Sequence, residues 1–320
     1  MKKALKIIGY LLGVVVLLLL GVAAYVQLAP MPNYKVNAPD LKITPDSART
    51  AEGRRIVLTD CAHCHRGTDG KISGDLWASD PTFGKLWSAN ITQHPTAGIG
   101  AYTDGELAYL LRTGIKRDGR YAGPWMTFPL LSDEDLASVI AFLRSDAPEV
   151  QPSENRQPPA ELSFVGKMVF KLFLPKPFDY PDKPIVAPPP TDKVAYGRYL
   201  ATGKWECFRC HSASFETNNE LEPEKSPGYF AGGNPVSDKN NQPVASANIT
   251  PDKETGIGTW TEAQFSNAVR FGKRPDGQPL SHLMPPFAML SDDEISALWA
   301  YLQTVPPIKN PVVRTLAKTD

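Results

Sequence analysis

Two pentads carry the most specific chemistry in the chain, Cys61-Ala62-His63-Cys64-His65 and Cys207-Phe208-Arg209-Cys210-His211. They hold all 4 cysteines of the 320 residues, so none is left for another task. Such pairs can close a structural zinc site, act as a redox dithiol or accept a covalently attached haem c. Zinc requires two cysteine pairs held together, or histidines at short spacing, to complete its tetrahedron. A dithiol has no need of a histidine directly after its second cysteine, twice over. Haem accounts for every position. Thiols three residues apart lie on one side of a turn and can add across two porphyrin vinyl groups, and the next histidine offers a neutral imidazole to the iron. Cys61, Cys64, Cys207 and Cys210 are therefore assigned to two covalently bound haems c, with His65 and His211 as proximal ligands.

Covalent attachment of this kind takes place outside the cytoplasm, and the N-terminus supplies the route. Lys2, Lys3 and Lys6 precede an uncharged run at residues 7–26 rich in Leu, Val and Ile. That length, about 20 residues, matches the span of a bilayer as a helix. The basic flank stays in the cytoplasm. Residues 1–30 read as a retained membrane anchor. The rival is a cleaved signal peptide with Val22-Ala23-Ala24 at its end, although its apolar region is usually shorter, about 7–15 residues. Both readings put the rest of the chain on the periplasmic side of a bacterial inner membrane. Charge balances at 34 basic against 34 acidic residues, so no nucleic-acid partner is expected.

The elements that must hold the pentads are duplicated. Residues 90–126 align without a gap on residues 248–284. Both begin Asn-Ile-Thr and carry Gly-Ile-Gly (98–100 and 256–258), and Thr103 matches Thr261, Arg112 matches Arg270, and Gly114 matches Gly272. Beyond the methionines, the stretch from Leu131 to Glu134 matches that from Leu290 to Asp293. The copies differ mainly between pentad and Asn-Ile-Thr, where the second has a longer polar loop.

The pattern predicts a mainly α fold with little strand: two tandem domains at residues 46–147 and 191–307, each of three helices around a haem. Asp46 or Ser47 and Thr191 or Asp192 cap helices running to about Leu58 and Thr202. Thr103 and Thr261 open second helices ended by Gly114 and Gly272. Ser132-x-x-Asp135 and Ser291-x-x-Glu294 resemble capping boxes that open the third. A proline-rich, extended connector fills residues 148–190. Its apolar stretch at 163–174 is expected to pack across both domains, a membrane-surface helix being the alternative.

The sixth iron ligand decides between carrier and catalyst. His63 lies inside its own pentad. His94 corresponds to Asp252, and His282 to Pro124, so neither histidine is present in both copies. Met126 and Met284 align with each other, and the repeat outweighs the general tendency of methionine to fill cores. The assignment is His65/Met126 and His211/Met284. A thioether opposite imidazole raises the reduction potential and closes the iron to small substrates, which suits one-electron transfer.

Asn-Ile-Thr at 90 and 248 matches the glycosylation sequon, but its recurrence at equivalent places suggests a structural role. Asn90, Asn248, Trp87, Arg112, Trp260 and Arg270 are candidates to bond haem propionates or line the crevice, or else serve as caps and core. The acidic groups at 133–135 and 292–294 read as helix first turns.

With the pentads, the run from Asn248 to Trp260, Met284-Pro285 and the stretch from Leu290 to Glu294 together, the chain resembles the membrane-anchored class I cytochromes c. Those serve as electron-accepting subunits of periplasmic alcohol, gluconate and related dehydrogenases. They commonly carry three haem motifs; this sequence has two, with Met126-Thr127 in place of Met-Pro in the first copy. The resemblance implies a non-enzymatic dihaem carrier between a dehydrogenase subunit and a terminal oxidase or soluble cytochrome. The alternatives are a dihaem enzyme of the peroxidase or thiosulfate-dehydrogenase type, or a fixed subunit of a respiratory complex.

Overall fold

The structure, a computed structural model, describes residues 2–174, 176–237 and 243–312; Pro175 of the connector and residues 238–242 of the second copy's loop lie outside it. The apolar N-terminal run winds as one helix, α1 (Lys2–Leu28), exposed along nearly its whole length and long and apolar enough to cross a bilayer. Beyond α1 the regular structure among the described residues is mainly helical. The first copy contributes α2 (Ser47–Ile56), α3 (Ala62–His65), α4 (Asp104–Thr113) and α5 (Asp133–Leu143). The connector carries α6 (Phe164–Met168). The second copy contributes α7 (Lys193–Tyr199), α8 (Cys207–His211), α9 (Glu262–Phe271) and α10 (Asp292–Leu302).

Local chemistry sets these boundaries. Asp46 and Asp192 cap α2 and α7 by accepting from the backbone N–H of Arg49 and Ala195. Thr103 with Glu106 and Thr261 with Gln264 form full capping boxes on α4 and α9, which Gly114 and Gly272 end in the left-handed region. The first helix of each copy ends a little before the predicted place. α2 passes into a widened π-type turn at Val57–Cys61 and α7 into one at Leu200–Lys204, and each turn delivers its pentad. Such turns are found frequently at functional sites.

In each copy the first helix crosses the last. The crossing is close because Gly53 faces Ser138 and Gly197 faces Ala297, and a Cβ at either glycine would collide with the facing backbone oxygen. Around these contacts Ile56, Val139 and Phe142, and in the second copy Leu200, Leu298 and Tyr301, form buried core. Fully burying one such side chain is worth about 1.5–3 kcal/mol.

A buried polar seam joins the copies. Ser132 caps α5, but Asp135 makes no return bond to Ser132 N–H, whereas Glu294 does so for Ser291 at 2.9 Å. Aspartate is one methylene shorter than glutamate, and the hydroxyl of Tyr199 takes the vacant role: it accepts from Ser132 N–H at 3.0 Å and donates to Asp135. Lys204, 4 % exposed, lies 2.5 Å from Glu52, 3.2 Å from Asp135 and 3.7 Å from Glu294. Burial alone would lower its pKa, but the three carboxylates hold it above the ordinary lysine value.

Short strands occur that the sequence did not suggest. β1 (Leu76–Asp80), β2 (Gly84–Trp87) and β3 (Glu161–Leu162) form an antiparallel sheet in that order, and β4 (Pro235–Ser237) pairs with β5 (Pro243–Ala245). β3 belongs to the connector, as does α6, whose helical turns mean that the connector is not extended throughout. The apolar stretch behind it packs on the first copy and on the end of α1. The ring of Phe170 meets that of Trp125 at 5.8 Å, while Lys171 Nζ donates to the carbonyls of Val26 (2.8 Å) and Ala29 at the end of α1. The stretch straps the apolar helix to the first copy.

Candidate functional site

Both pentads and both aligned methionines line one continuous cavity of about 1900 Å³. A single small-ligand site usually occupies about 300–1,000 Å³. His65 and His211 are nearly buried. Nδ1–H of His65 donates to Ala89 O at 2.7 Å, and that of His211 to Ala247 O, also at 2.7 Å. This bond fixes the tautomer with the proton on Nδ1, so the lone pair that a metal would take is on Nε2. Burial pushes the His65 pKa below its ordinary value, against the pull of the Ala89 bond, and so favours the neutral, ligating form.

Those carbonyls immediately precede Asn90 and Asn248. Asn90 Oδ1 accepts from Thr92 N–H (2.9 Å) and Oγ1 (2.6 Å), and Asn248 Oδ1 accepts from Thr250 in the same way (2.9 and 2.7 Å). Their amide groups donate to Ser153 O and Asn155 O, and to Thr255 Oγ1 and Ile308 O. Both asparagines are buried with their polar atoms engaged. Asn-Ile-Thr is thus a structural turn that positions the carbonyl behind each histidine.

Met126 and Met284 are half-buried at the cavity wall. His94 and His282 do not line it. His94 Nδ1 accepts from the N–H groups of Thr96 (3.2 Å) and Ala97 (3.0 Å). Asp252 does the same for Glu254 (3.2 Å) and Thr255 (2.7 Å), which explains why the repeat pairs a histidine with an aspartate. Among the described residues no group of three or more His, Cys, Asp or Glu side chains is arranged to hold a metal ion.

Trp87 and Trp260 reach the cavity, but Arg112 and Arg270 do not. Arg112 is buried, with bonds to Phe128 O (3.0 Å) and Asp133 (2.6 Å), and Arg270 pairs with Asp292 at 2.7 Å. Each fastens its helix to the start of the next. Sequence reasoning missed Trp205, Lys116 and Arg274, which do line the cavity. Lys116 and Arg274 are equivalent in the repeat, a signal that would have found them. Trp205 has no counterpart, because the second copy carries two extra residues before its pentad.

The lining suits a haem. It is mostly apolar, it brings cysteine pairs, imidazoles and thioethers to one space, and it contains the buried Trp205 Nε1 and Arg274 Nε without a partner. Such donors match a group that carries carboxylates.

Acids precede both pentads. Burial pushes Asp60 up to about 6, with Arg209 acting the other way, and raises Glu206 well above the usual range. Burial likewise pushes the Cys64 and Cys210 thiols up to about 11 and Cys207 to about 12. Glu206 also holds a left-handed backbone, φ 45°, a conformation that is costly away from glycine.

Comparison with known proteins agrees with this chemistry. The cytochrome c family model matches residues 50–146. The chain is 30 % identical over 290 residues to the fructose dehydrogenase cytochrome subunit of Gluconobacter japonicus, covering 85 % of this chain and 56 % of that one. It is 29 % identical over 279 residues to the cytochrome c subunit of the quinone alcohol dehydrogenase of Gluconacetobacter polyoxogenes, covering 82 % and 57 %. A dihaem c-type cytochrome of Cereibacter sphaeroides is 26 % identical over 276 residues, covering 82 % and 88 %. The chain thus spans little more than half the length of the dehydrogenase subunits it matches. Residues 50–146 are a cytochrome c domain that implies covalently bound haem c, and the chain is a relative of the cytochrome c subunits of alcohol, fructose and gluconate dehydrogenases.

Proposed function

We propose that the chain is a dihaem electron carrier of two tandem class I cytochrome c domains, residues 46–147 and 191–307. It receives electrons from a dehydrogenase subunit and passes them to a terminal oxidase or soluble cytochrome. Cys61 and Cys64 hold one haem, Cys207 and Cys210 the other. His65 with Met126 and His211 with Met284 are the axial pairs. α1 anchors the domains on the periplasmic side of the inner membrane.

One observation carries this reading. In both copies the pentad histidine donates Nδ1–H to the carbonyl before Asn-Ile-Thr and lines the same cavity as the aligned methionine. Haem supplies reversible one-electron chemistry when bound; the chain sets ligands, burial and distance. The size of the cavity and the dihaem relative support a count of two.

The test is a haem-to-protein ratio with optical and magnetic spectra of the protein purified from membranes. Two haems per chain, both low-spin with a methionine-to-iron charge-transfer band, are expected. A high-spin component would favour the peroxidase-type enzyme, and a ratio of one would remove the second domain from the reading.

A further inference from the structure

The seam between the copies continues to the pentads, where its symmetry breaks at Arg209. This residue lies between Cys207 and Cys210 and is largely buried. Its Nε donates to Glu220 at 2.7 Å, Nη1 pairs with Glu206 at 3.0 Å, and Nη2 donates to Thr127 O at 2.6 Å. Thr127 follows Met126 and is itself buried, with its hydroxyl donating to Pro124 O at 2.6 Å. One side chain therefore spans from the second pentad to the backbone beside the first methionine. The reverse arrangement is missing. The equivalent position in the first pentad is His63, which is exposed, and the residue after Met284 is Pro285.

We propose that Arg209 couples the two haem sites, holding the Met126 loop in register from within the second pentad and placing one fixed positive charge on the wall of the cavity that both sites share. This rests on the axial assignment above. Arginine suits the role because its planar fork serves three acceptors at once and keeps its charge when buried. A charge in a low-dielectric interior acts more strongly than one in water. Oxidation of a haem iron adds a positive charge to the site, so a fixed guanidinium nearby opposes it and raises the reduction potential. Glu206 and Glu220, deprived of their counter-charge, would push in the opposite direction. The coupling runs one way for geometry, from the second pentad to the first methionine, and both ways for charge.

The test uses the full-length protein in detergent, with spectroelectrochemical titration of the methionine-to-iron band. Met126→Ala and Met284→Ala assign the two components. Arg209→Gln is expected to move the Met126-assigned component to lower potential, although the substitution lies in the other pentad. A Met126 component at its original potential overturns the proposal. Should Arg209→Gln fail to mature, Arg209→Lys decides. Lysine keeps the charge but cannot serve all three acceptors, so the Met126 component should lose intensity relative to Met284, and equal intensities overturn the coupling. If neither methionine variant changes the band, the axial assignment itself fails, a result distinct from a coupling failure.

Discussion

Arg55 and Tyr199 occupy equivalent places, two residues after the glycine at each helix crossing, and each reaches the capping carboxylate of the opposite copy. Arg55 donates to Glu294, and Tyr199 donates to Asp135. The two contacts are reciprocal, as in a two-fold interface where one patch serves both sides. The chemistry differs while the geometry is kept: a guanidinium meets the longer glutamate, and a phenol meets the shorter aspartate.

Lys204→Met should be among the most damaging changes outside the cavity. It leaves Asp135 without its ionic partner and Glu52 and Glu294 with Arg55 alone, and breaking a buried ionic group from one side costs about 3–5 kcal/mol. Urea unfolding of the haem-loaded protein measures this, and a loss below about 1 kcal/mol would show that the cluster is solvated.

Tyr199→Phe removes one hydroxyl, strands Ser132 N–H and takes one donor from Asp135, which keeps Lys204 and the Ser132 hydroxyl. A buried donor left without its acceptor costs about 1–3 kcal/mol. The accompanying signature is increased hydrogen exchange at the first turn of α5, with α10 unchanged because Glu294 completes its own box.

Gly53→Ala and Gly197→Ala should each force the crossing helices apart. The added methyl meets a backbone oxygen, which cannot rotate away as a side chain can, so the cost is at least the about 1–3 kcal/mol typical of overpacked cores. A lower melting temperature and a broadened haem spectrum confined to the affected copy are expected.

Acid stability should depend on Glu52. Burial would raise its pKa, but Arg55 and Lys204 outweigh burial and hold it below the ordinary 4.5. A depressed carboxylate contributes stability that is present above its unfolded pKa and lost as pH falls through the folded one. Glu52→Gln should therefore lie below the wild type by a constant margin above about pH 4.5 and converge on it in more acid solution. Denaturant titrations at a series of pH values measure the margin; one that widens on acidification would contradict the sign.

Much of the site was legible because it depends on short-range chemistry. The pentads, the Asn-Ile-Thr turns and the threonine caps are local patterns, and the two methionines that duplication singled out as iron ligands over His94 and His282 both line the cavity. What the sequence hid was relational. Nothing in the spacing of Arg112 and Arg270 distinguishes a cavity donor from a helix fastener, and the structure makes them fasteners. The roles of Tyr199 and Lys204 depend on partners more than sixty residues away in sequence, and a contact of that kind leaves no periodicity behind. The strands were missed because two to five residues give too little alternation to detect.

The reciprocal seam has a consequence for growth. A patch that pairs with its own equivalent is consumed when the pair forms, so the assembly closes at two and offers no free copy of that surface to a third unit. Any further unit, whether another chain or the additional length found in the longer relatives, would have to dock by different residues. The two copies are a finished pair and not the first two links of a chain.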